Sequence, residues 1–297
     1  MVAGDDASDL TLPARGLLVG RLDPADARDA FLHAFALEAC DHLSVRRSGA
    51  DGEGLSPADG FDVVFGYGSG PDVPGRVLAT RLGARFVPVT PPLRLEAVAA
   101  AIPQMSPAPP ARVPRICLFG PESTGKSTLG LALAEYYGTV MAPEYGRLYT
   151  ETFGQDCGPE DLRRIVIGHL AGTRAASRWA DRLLIEDTDP VLTAIWSDVL
   201  TGGRAPWFDR FSDTADLYLL TGIDVPFVAD GVRYFPAADA RQRFHARCAA
   251  ELVRRQLPWA EITGDPATRL ARAIRLIDQA FPPTDGGPRP LGLVSPP

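Results

Sequence analysis

The feature that most constrains this chain is the segment Gly120-Pro-Glu-Ser-Thr-Gly-Lys126-Ser127, which matches the pattern G-x-x-x-x-G-K-[ST]. Lys126 is the only lysine among 30 lysine and arginine residues. An ammonium group is a compact point charge that can sit on phosphate oxygens, whereas a guanidinium group is a broad fork. A chain of this composition would match the pattern by chance roughly once in a thousand sequences. The segment therefore predicts a phosphate-binding loop rather than an ordinary glycine-rich turn.

The residues on either side of the loop predict the strand and the helix that such a loop connects. Arg115–Phe119 is a short, mostly apolar run of the kind that forms a buried parallel strand. Ser127–Tyr137 predicts a helix with Gly138 at its C-cap. At the start of that helix, backbone N–H groups would wrap the β-phosphate of ATP, Lys126 would bridge the β- and γ-phosphates, and Ser127 would hold Mg²⁺. The residues predicted to bind ATP here are Gly120, Glu122, Ser123, Thr124, Gly125, Lys126, Ser127 and Thr128.

The composition predicts a globular protein of one large or two modest domains, because the chain has 297 residues and 45% of them are hydrophobic. No run approaches the roughly 18 apolar residues of a membrane span, and the N-terminus lacks the basic start of a secretion signal, so we expect a cytoplasmic protein without a membrane partner. The net charge of -7 argues against a nucleic-acid partner. The four cysteines are far apart in the sequence and predict free, buried thiols. Homo-oligomerisation stays open.

The proline pattern predicts how the chain divides into domains. Residues 103–114 carry five prolines and few large apolar side chains, which is typical of an extended linker. Residues 1–102 before it predict a smaller α/β domain, and residues 115–281 after it predict an α/β domain with a parallel sheet and helices on both faces. Residues 282–297 are rich in proline and glycine and predict a disordered tail.

Polar residues follow the predicted second strand, Thr139–Met141, at the edge where open α/β sheets bind ligands. Glu144 could accept a proton from a ribose hydroxyl or bind the sugar, and Arg147 could bind phosphate. Tyr145 could offer a ring for stacking. The alternative is that Glu144 only starts a helix and Arg147 only forms an ion pair.

Acidic residues follow the next apolar run, Arg182–Ile185, which predicts another buried strand. Carboxylates at a strand end beside a phosphate loop commonly hold Mg²⁺ or its waters, so Asp187 is the first choice and Asp189 the second. The alternative is that these acids only cap the next helix. A further strand, Asp216–Thr221, leads to the polar and aromatic residues that begin at Asp224.

The region from Asp239 to Arg255 has a helical, arginine-rich pattern. Arg241 and Arg243 could belong to a lid that closes on ATP and excludes water. A solvated helix face is the alternative for each arginine. A last strand at Trp259–Gly264 and a helix at Pro266–Phe281 would complete the sheet packing.

Several ordered motifs from Ile116 to Phe281 together resemble the ribosylnicotinamide kinase domain of NadR-type proteins: GPESTGKSTL, PEYGR, DTD, DLYLLTGIDVPFVADGVR and RQRFH. The resemblance implies phosphorylation of nicotinamide riboside to nicotinamide mononucleotide with ATP and Mg²⁺. Under this hypothesis the predicted catalytic residues are Lys126, Glu144, Asp187 and Arg241. The predicted substrate-binding residues are Glu144, Tyr145, Arg147, Asp189, Phe227 and Asp230.

The chain departs from that family at three positions. Gly146 stands where we expect alanine, and His169 stands where the family tends to have glutamine. Phe227 stands where tryptophan is usual, but phenylalanine keeps an aromatic surface that could stack on the nicotinamide ring.

The N-terminal part resembles a degenerate form of the nucleotidyltransferase domain that precedes the kinase in this family. The family motif G-x-F-x-P-x-H-x-G-H corresponds here to Gly20-Arg-Leu-Asp-Pro-Ala-Asp26-Ala-Arg28-Asp29, so aspartates replace both histidines. Carboxylates repel a departing pyrophosphate, whereas imidazoles stabilise it. The later phosphate motif I-S-x-T-x-x-R has no counterpart at Thr90–Glu96. We therefore predict a folded remnant without adenylyltransferase activity, whose role could be docking, dimerisation or ligand sensing.

Two alternatives to a nicotinamide riboside kinase remain at the sequence level. One is a kinase of another nucleoside or small alcohol, because phosphate-binding residues do not reveal the acceptor. The other is a regulatory protein that binds ATP and a pyridine nucleotide without transferring phosphate. The absence of an apparent helix-turn-helix or basic DNA-binding segment weighs against a DNA-binding regulator.

Overall fold

The structure, a computed structural model, describes residues 10–19, 23, 25–46, 54–101, 112–226 and 238–282. Most of the predicted linker, residues 103–111, and most of the predicted tail, residues 283–297, lie outside the described residues. The predicted substrate-binding residues Phe227 and Asp230 also lie outside them.

Strands and helices alternate along the described chain. The strands are β1 (Arg15–Val19), β2 (His42–Arg46), β3 (Val63–Tyr67), β4 (Arg85–Val89), β5 (Arg115–Phe119), β6 (Met141–Ala142), β7 (Leu184–Asp187), β8 (Leu217–Thr221) and β9 (Trp259–Ile262). The helices are α1 (Ala27–Ala39), α2 (Pro74–Leu82), α3 (Leu95–Ala101), α4 (Lys126–Tyr137), α5 (Tyr145–Phe153), α6 (Pro159–Ala176), α7 (Pro190–Thr201), α8 (Trp207–Arg210), α9 (Ala238–Arg254) and α10 (Pro266–Ala280). In the part of the chain that the structure describes, none of the helices combines the length and the apolarity needed to span a bilayer.

The strands form two separate parallel sheets, and the first has the order β2-β1-β3-β4. Successive residues of a strand point to opposite faces of its sheet, so two adjacent residues of β3 show what packs on each face. Val64 packs in a core with Leu78 and Leu82 of α2. The ring of the next residue, Phe65, lies 6.4 Å from the ring of Phe35 in α1. Helices therefore cover both faces of this sheet.

The second sheet has the order β6-β7-β5-β8-β9, and all its strands are parallel. Ile116 and Leu118 of β5 pack with residues of α4 and α10 on one face. Phe119 contacts the ring of Tyr218 edge-on at 5.3 Å on the other face. From β5 the chain first builds β6 and β7 on one side and then β8 and β9 on the other. This reversal places the C-terminal end of β5 at the topological switch point, where open parallel sheets bind their ligands.

The predicted α/β fold class, with parallel sheets and helices on both faces, is confirmed. β5 has the predicted bounds, and α4 ends at Gly138, whose φ of 67° and N–H bonds to Ala134 and Glu135 form the predicted C-cap. β6 is shorter than predicted and begins at Met141. The reason is that the Thr139 N–H bonds the Ala134 carbonyl at 2.9 Å and so still belongs to the end of α4.

The described backbone clusters into two compact units, each built from several segments. The first unit comprises Met1–Pro91, Glu144–Ala175 and Ser197–Ser212 and contains the first sheet. The second unit comprises Pro92–Pro143, Ala176–Trp196 and Asp213–Pro297 and contains the second sheet. These units are defined by contacts in space, so the linear boundaries at residues 103–114 stay a prediction.

The four cysteines are buried and free, as predicted: Cys40, Cys117, Cys157 and Cys248. Burial raises the pKa of Cys40 and of Cys157 to about 11, so both thiols stay protonated at neutral pH. Protonated, buried thiols are poor nucleophiles, which makes these cysteines core residues.

Gly168 in α6 is required by the packing of one aromatic ring. A Cβ atom on Gly168 would lie 2.1 Å from Cε1 of Tyr145. The ring has little room to move, because it is stacked on Phe35 with centroids 6.0 Å apart. Its hydroxyl also donates a hydrogen bond to the Pro88 carbonyl at 3.1 Å. A side chain at position 168 would therefore disrupt the core of the first unit.

We expect Gly168→Ala to lower the free energy of unfolding by about 1–3 kcal/mol, the usual cost of overpacking a core. This loss should appear although alanine is the better helix former by about 1 kcal/mol. Gly172→Ala is the matched control one turn later in α6, because its Cβ would lie 3.6 Å from the Phe35 ring, an ordinary contact. Denaturant unfolding should show a lower midpoint for Gly168→Ala and an unchanged or higher one for Gly172→Ala. Equal midpoints for Gly168→Ala and the wild type would rule out this packing.

Candidate nucleotide site

The loop between β5 and α4 adopts a backbone conformation that only glycine accepts easily at two positions. Gly120 has φ of 128° and Gly125 has φ of 80°. A Cβ atom on Gly120 would also lie 3.1 Å from the carbonyl oxygen of Thr221 in β8. Left-handed backbone at both ends of the loop lets successive N–H groups turn toward one point, which is the geometry of an anion-binding nest.

Two buried threonines hold this loop against the end of β8. The hydroxyl of Thr124 lies 2.6 Å from the hydroxyl of Thr221, and the Thr221 hydroxyl donates to the Phe119 carbonyl at 3.1 Å. Both side chains are completely buried. The loop is therefore fixed by side chains as well as by its own backbone, as a preorganised binding site requires.

Lys126 is the first residue of α4, and its side chain is buried. Its ammonium group donates a hydrogen bond to the carbonyl of Pro121, also in the loop, at 2.7 Å. The side chain thus folds back along the loop. The predicted lysine and the predicted phosphate-binding backbone are brought together in the structure.

Ser127 and Asp187 also meet, although they are 60 residues apart in the sequence. The Ser127 hydroxyl donates to a carboxylate oxygen of Asp187 at 2.5 Å. Asp187 ends β7, whose register pairs it with Leu118 of the neighbouring strand β5. Thr188, the next residue, has φ of 69° and donates its N–H to the Leu118 carbonyl at 3.0 Å. Strained backbone of this kind often marks a functional turn.

The Ser127 and Asp187 oxygens fit the ligand preference of Mg²⁺, which takes hard oxygen donors and usually one or two carboxylates. Within the described ranges, no group of three or more His, Cys, Asp or Glu side chains could hold a metal ion. A metal at this pair would therefore complete its shell with phosphate oxygens and water, as Mg²⁺ does in phosphoryl-transfer sites.

Asp189, the second choice for the metal, uses both carboxylate oxygens inside the protein. One oxygen accepts the N–H of Val191 at 3.0 Å, at the start of α7, and the other accepts the hydroxyl of Tyr218. Burial raises the pKa of Asp189 to about 7. These contacts are those of a helix cap, which is the alternative that the sequence left open for these acids. Asp187, which contacts Ser127, is therefore the acid at the phosphate loop.

The two predicted lid arginines in α9 have different surroundings. Arg241 is 5% exposed, and its guanidinium lies 3.5 Å from the carbonyl of Ser123 in the loop and 3.4 Å from that of Val225. Arg243 has a side chain that is 69% exposed and pairs with Asp239 at 2.7 Å. Arg241 therefore lies at the phosphate loop, whereas Arg243 has the contacts of a solvated helix face.

Arg269 in α10 contacts the loop, and the sequence reasoning missed it. Its guanidinium donates to the carbonyls of Thr124 at 2.6 Å, Gly222 at 3.1 Å and Gly264 at 2.8 Å. It also forms an ion pair with Asp224. This single buried side chain ties the phosphate loop to the segments that follow β8 and β9.

A sequence signal for Arg269 existed in the spacing of α10. The buried residues of that helix are Arg269, Ala273 and Ile277, which are four residues apart. Positions i, i+4 and i+8 form one stripe of a helix, so an arginine in an apolar stripe indicates a buried, partnered charge.

We expect Arg269→Ala to lower the free energy of unfolding by on the order of 3 kcal/mol, because it leaves buried carbonyl oxygens without a donor. Arg272→Ala is the matched control, since Arg272 is exposed on the same helix. That substitution should change stability by less than about 0.5 kcal/mol. Denaturant unfolding of both variants measures the difference, and equal midpoints would contradict the stabilising role of Arg269.

The residues after β6 that were predicted to bind substrate belong to the first unit. Glu144 immediately precedes α5 in an extended conformation. Arg147 is exposed and pairs with Glu151 at 2.9 Å. Tyr145 is a core residue covered by Phe35, so the free stacking face predicted for it does not agree with the structure. A single sequence could not show this, because the covering helix α1 lies about a hundred residues earlier in the chain.

The described residues of the degenerate motif in the N-terminal part are Asp23 and residues 25–29, and they lie before and at the start of α1. The carboxylate of Asp26 accepts the N–H groups of Arg28 at 2.8 Å and Asp29 at 3.1 Å. The carboxylate of Asp29 accepts the N–H of Asp23 at 2.9 Å. The N–H groups that a helix N-terminus offers to phosphate are thus bound to a negative group of the chain itself.

Comparison with known proteins places these features in a family. A family model described as an AAA domain, AAA_28, matches residues 115–269. That range begins with β5, contains the phosphate loop and ends at Arg269. It covers more than half of the chain.

Two curated relatives match the same part of the chain. The trifunctional NAD biosynthesis/regulator protein NadR of Salmonella typhimurium strain LT2 is 29% identical over 179 residues, 57% of this chain and 43% of the relative. NadR of Escherichia coli strain K12 is 29% identical over 177 residues, with the same coverage. The chain therefore spans less than half the length of the curated relatives it matches.

Two solved structures match the chain with low scores. One is a crystal structure of NadR protein in complex with NR, with 15% identity, a TM-score of 0.47 and coverage of 92% of this chain and 98% of the other. The second is a crystal structure of NadR protein in complex with NAD and AMP-PNP, with 15% identity, a TM-score of 0.46 and the same coverage. These scores are low, so the assignment rests on the family model and the loop geometry. The chain belongs to the AAA_28 family of AAA domains.

Proposed function

We propose that this protein is an ATP-dependent kinase that phosphorylates nicotinamide riboside to nicotinamide mononucleotide in NAD salvage. The observation that carries the proposal is a pair of hydrogen bonds at the switch point of a parallel sheet. One joins the Lys126 ammonium to the phosphate loop, and the other joins the Ser127 hydroxyl to the Asp187 carboxylate. A phosphate loop, an acid at the end of the neighbouring strand and an arginine at the loop are the parts that phosphoryl transfer needs.

In this proposal each residue of the second unit has a separate role. The loop amides and Lys126 bind the phosphates of ATP and neutralise charge that develops in transfer. Arg241, whose guanidinium lies at the Ser123 carbonyl, adds a second positive group and excludes water. Mg²⁺ held by Ser127 and Asp187 would neutralise charge on the bridging phosphate oxygens. Catalysis would come mainly from positioning and charge, because phosphoryl transfer needs little covalent chemistry from the protein.

The identity of the acceptor rests on two kinds of support. The motifs from the phosphate loop to RQRFH resemble the ribosylnicotinamide kinase domain of NadR-type proteins. The relatives that match this part of the chain are NAD biosynthesis and regulator proteins. We therefore infer that nicotinamide riboside is the acceptor, that Glu144 positions or deprotonates its 5′-hydroxyl, and that Phe227 and Asp230 bind its nicotinamide and ribose parts.

We expect Glu144→Gln to lower kcat by on the order of 10²–10⁴-fold, the usual contribution of a positioned general base. ATP affinity should stay within about twofold of the wild type, because the change leaves the phosphate loop intact. Glu151→Gln is the matched control, since Glu151 is an exposed carboxylate in α5, the helix that Glu144 precedes. Steady-state kinetics and nucleotide titration of the two variants test the role. Wild-type kcat in Glu144→Gln would reject it.

We also propose that the N-terminal part has lost adenylyltransferase activity. In the described residues, Asp26, which replaces the first motif histidine, caps α1 itself, which supports the loss. A carboxylate bound to these N–H groups would have to be displaced before a phosphate could bind, and it would repel that phosphate. Formation of NAD from nicotinamide mononucleotide and ATP by the purified protein would overturn this part.

A further inference from the structure

The turn between β7 and α7 contains the acid that the proposed function assigns to Mg²⁺. It consists of Asp187, Thr188 and Asp189, and all three residues are buried. Thr188 has φ of 69°, a left-handed conformation that a β-branched residue rarely adopts. Such a conformation persists only where surrounding contacts hold it. The contacts on each side of Thr188 therefore decide where the Asp187 carboxylate lies.

On one side of the turn, the contacts come from β5 and α4. The Thr188 N–H donates to the Leu118 carbonyl at 3.0 Å, and the Ser127 hydroxyl donates to the Asp187 carboxylate at 2.5 Å. In the proposed function, Ser127 and Asp187 bind the same ion. The contact between these two side chains would therefore change when the ion binds, whereas contacts elsewhere in the turn would stay.

On the other side of the turn, the contacts come from α7 and β8. One oxygen of Asp189 accepts the Val191 N–H at 3.0 Å, and the other accepts the Tyr218 hydroxyl. The Tyr218 oxygen itself accepts the Ala215 N–H at 3.1 Å. The Tyr218 ring packs edge-on against Phe119, the last residue of β5, at 5.3 Å. This tyrosine thus joins the turn after β7 to β8 and to the end of β5.

We propose that Tyr218 is a positioning residue for the metal, because its hydrogen bond to Asp189 fixes the turn and so keeps the Asp187 carboxylate at Ser127. This role rests on the proposed function, since it needs Asp187 to bind Mg²⁺. Without the hydroxyl, a buried oxygen of Asp189 and the N–H of Ala215 would lose this partner, and the turn would shift to satisfy them. Groups that hold a metal ligand in place commonly contribute about 10–100-fold to metal affinity.

Tyr218→Phe tests this role, because it keeps the ring and removes only the hydroxyl. ATP binding to the full-length protein is measured by isothermal titration calorimetry without an acceptor, once with Mg²⁺ and once with EDTA. We expect Tyr218→Phe to weaken ATP binding in Mg²⁺ by about tenfold and to leave binding in EDTA within about twofold of the wild type. A general loosening of the phosphate loop would instead weaken binding under both conditions.

Tyr137→Phe is the matched control. The Tyr137 hydroxyl donates to the Asp278 carboxylate at 3.1 Å, which is the same chemical pair in the same unit. Tyr137 is the last residue of α4, whereas Ser127 lies in its first turn. The control should bind ATP like the wild type with and without Mg²⁺. A loss as large as that of Tyr218→Phe, and equally confined to Mg²⁺, would overturn the positioning role.

Asp187→Asn separates a failure of this role from a failure of the proposed function. It should remove most of the gain in ATP affinity that Mg²⁺ gives to the wild type. If Asp187→Asn keeps that gain, the metal role of Asp187 is wrong, and the positioning role is overturned with it. If Asp187→Asn loses the gain while Tyr218→Phe keeps it, only the positioning role of Tyr218 is overturned.

Thr188→Gly tests the same turn with Tyr218 intact, and it also serves if Tyr218→Phe does not fold. Glycine accepts φ of 69° without strain but adopts many other conformations, so the turn would become less rigid. We expect about the same tenfold loss of ATP affinity, again only with Mg²⁺. Wild-type affinity in Thr188→Gly, or equal losses with Mg²⁺ and with EDTA in either variant, would overturn the proposal.

Discussion

Lys126→Ala should lower kcat/KM for phosphoryl transfer by on the order of 10³-fold or more, because it removes the only ammonium at the phosphate loop. No other lysine can take its place, because Lys126 is the only lysine in the 297 residues. Arg241 and Arg269 also contact the loop, but their guanidinium groups are bound to the carbonyls of Ser123 and Thr124. We expect both ATP affinity and turnover to fall, since the ammonium acts on the bound and on the transferring phosphate.

Lys126→Met is the control for packing. Methionine keeps most of the buried aliphatic length of lysine but has no charge, so it should retain the fold and still lose activity. Denaturant unfolding of this variant should agree with the wild type within about 1 kcal/mol. An active Lys126→Met protein would show that the ammonium is not required and would reject the phosphate-loop role.

Asp187→Asn should lower kcat by on the order of 10²–10³-fold, the range measured for removal of one preorganised electrostatic group. The substitution keeps the shape of the side chain and an oxygen that can accept the Ser127 hydroxyl, but it removes the negative charge. The concentration of Mg²⁺ that gives half-maximal activity should therefore rise. Activity measured across a Mg²⁺ series checks this expectation.

The control for Asp187 is Glu135→Gln, which removes an exposed carboxylate from α4. It should leave both kcat and the Mg²⁺ dependence unchanged. If Asp187→Asn shows the same Mg²⁺ dependence as the wild type while Asp189→Asn shifts it, the metal role belongs to Asp189. In that case the interpretation of Asp189 as a helix cap is wrong.

The parts of the fold that local signals encode were predictable from the sequence. Arg115–Phe119, the loop glycines and the Gly138 cap lie within 24 residues of one another and are decided by short-range rules. The parallel sheets follow from alternating strand and helix patterns. The pairing of Ser127 with Asp187 was also predictable, because a phosphate loop and an acidic strand end occur together in phosphoryl-transfer sites.

Contacts between distant segments were not predictable from one sequence. The motif around Tyr145 predicts a ring that faces a ligand, but Phe35 of α1 covers that ring. The spacing of α10 indicates that Arg269 is buried, but it does not reveal the three carbonyl groups that Arg269 binds. In each case the partner is more than four residues away, beyond the reach of helical spacing rules. The roles of Phe227 and Asp230 stay predictions.

The assay of acceptors tests the central claim most directly. The purified protein is incubated with Mg·ATP and, in separate reactions, with nicotinamide riboside, cytidine, uridine or thymidine, and ADP and the phosphorylated product are followed by mass spectrometry. We expect nicotinamide mononucleotide to form in preference to the other products. Product from another nucleoside but none from nicotinamide riboside would contradict the proposed acceptor, and tight ATP binding without any product would contradict the kinase itself.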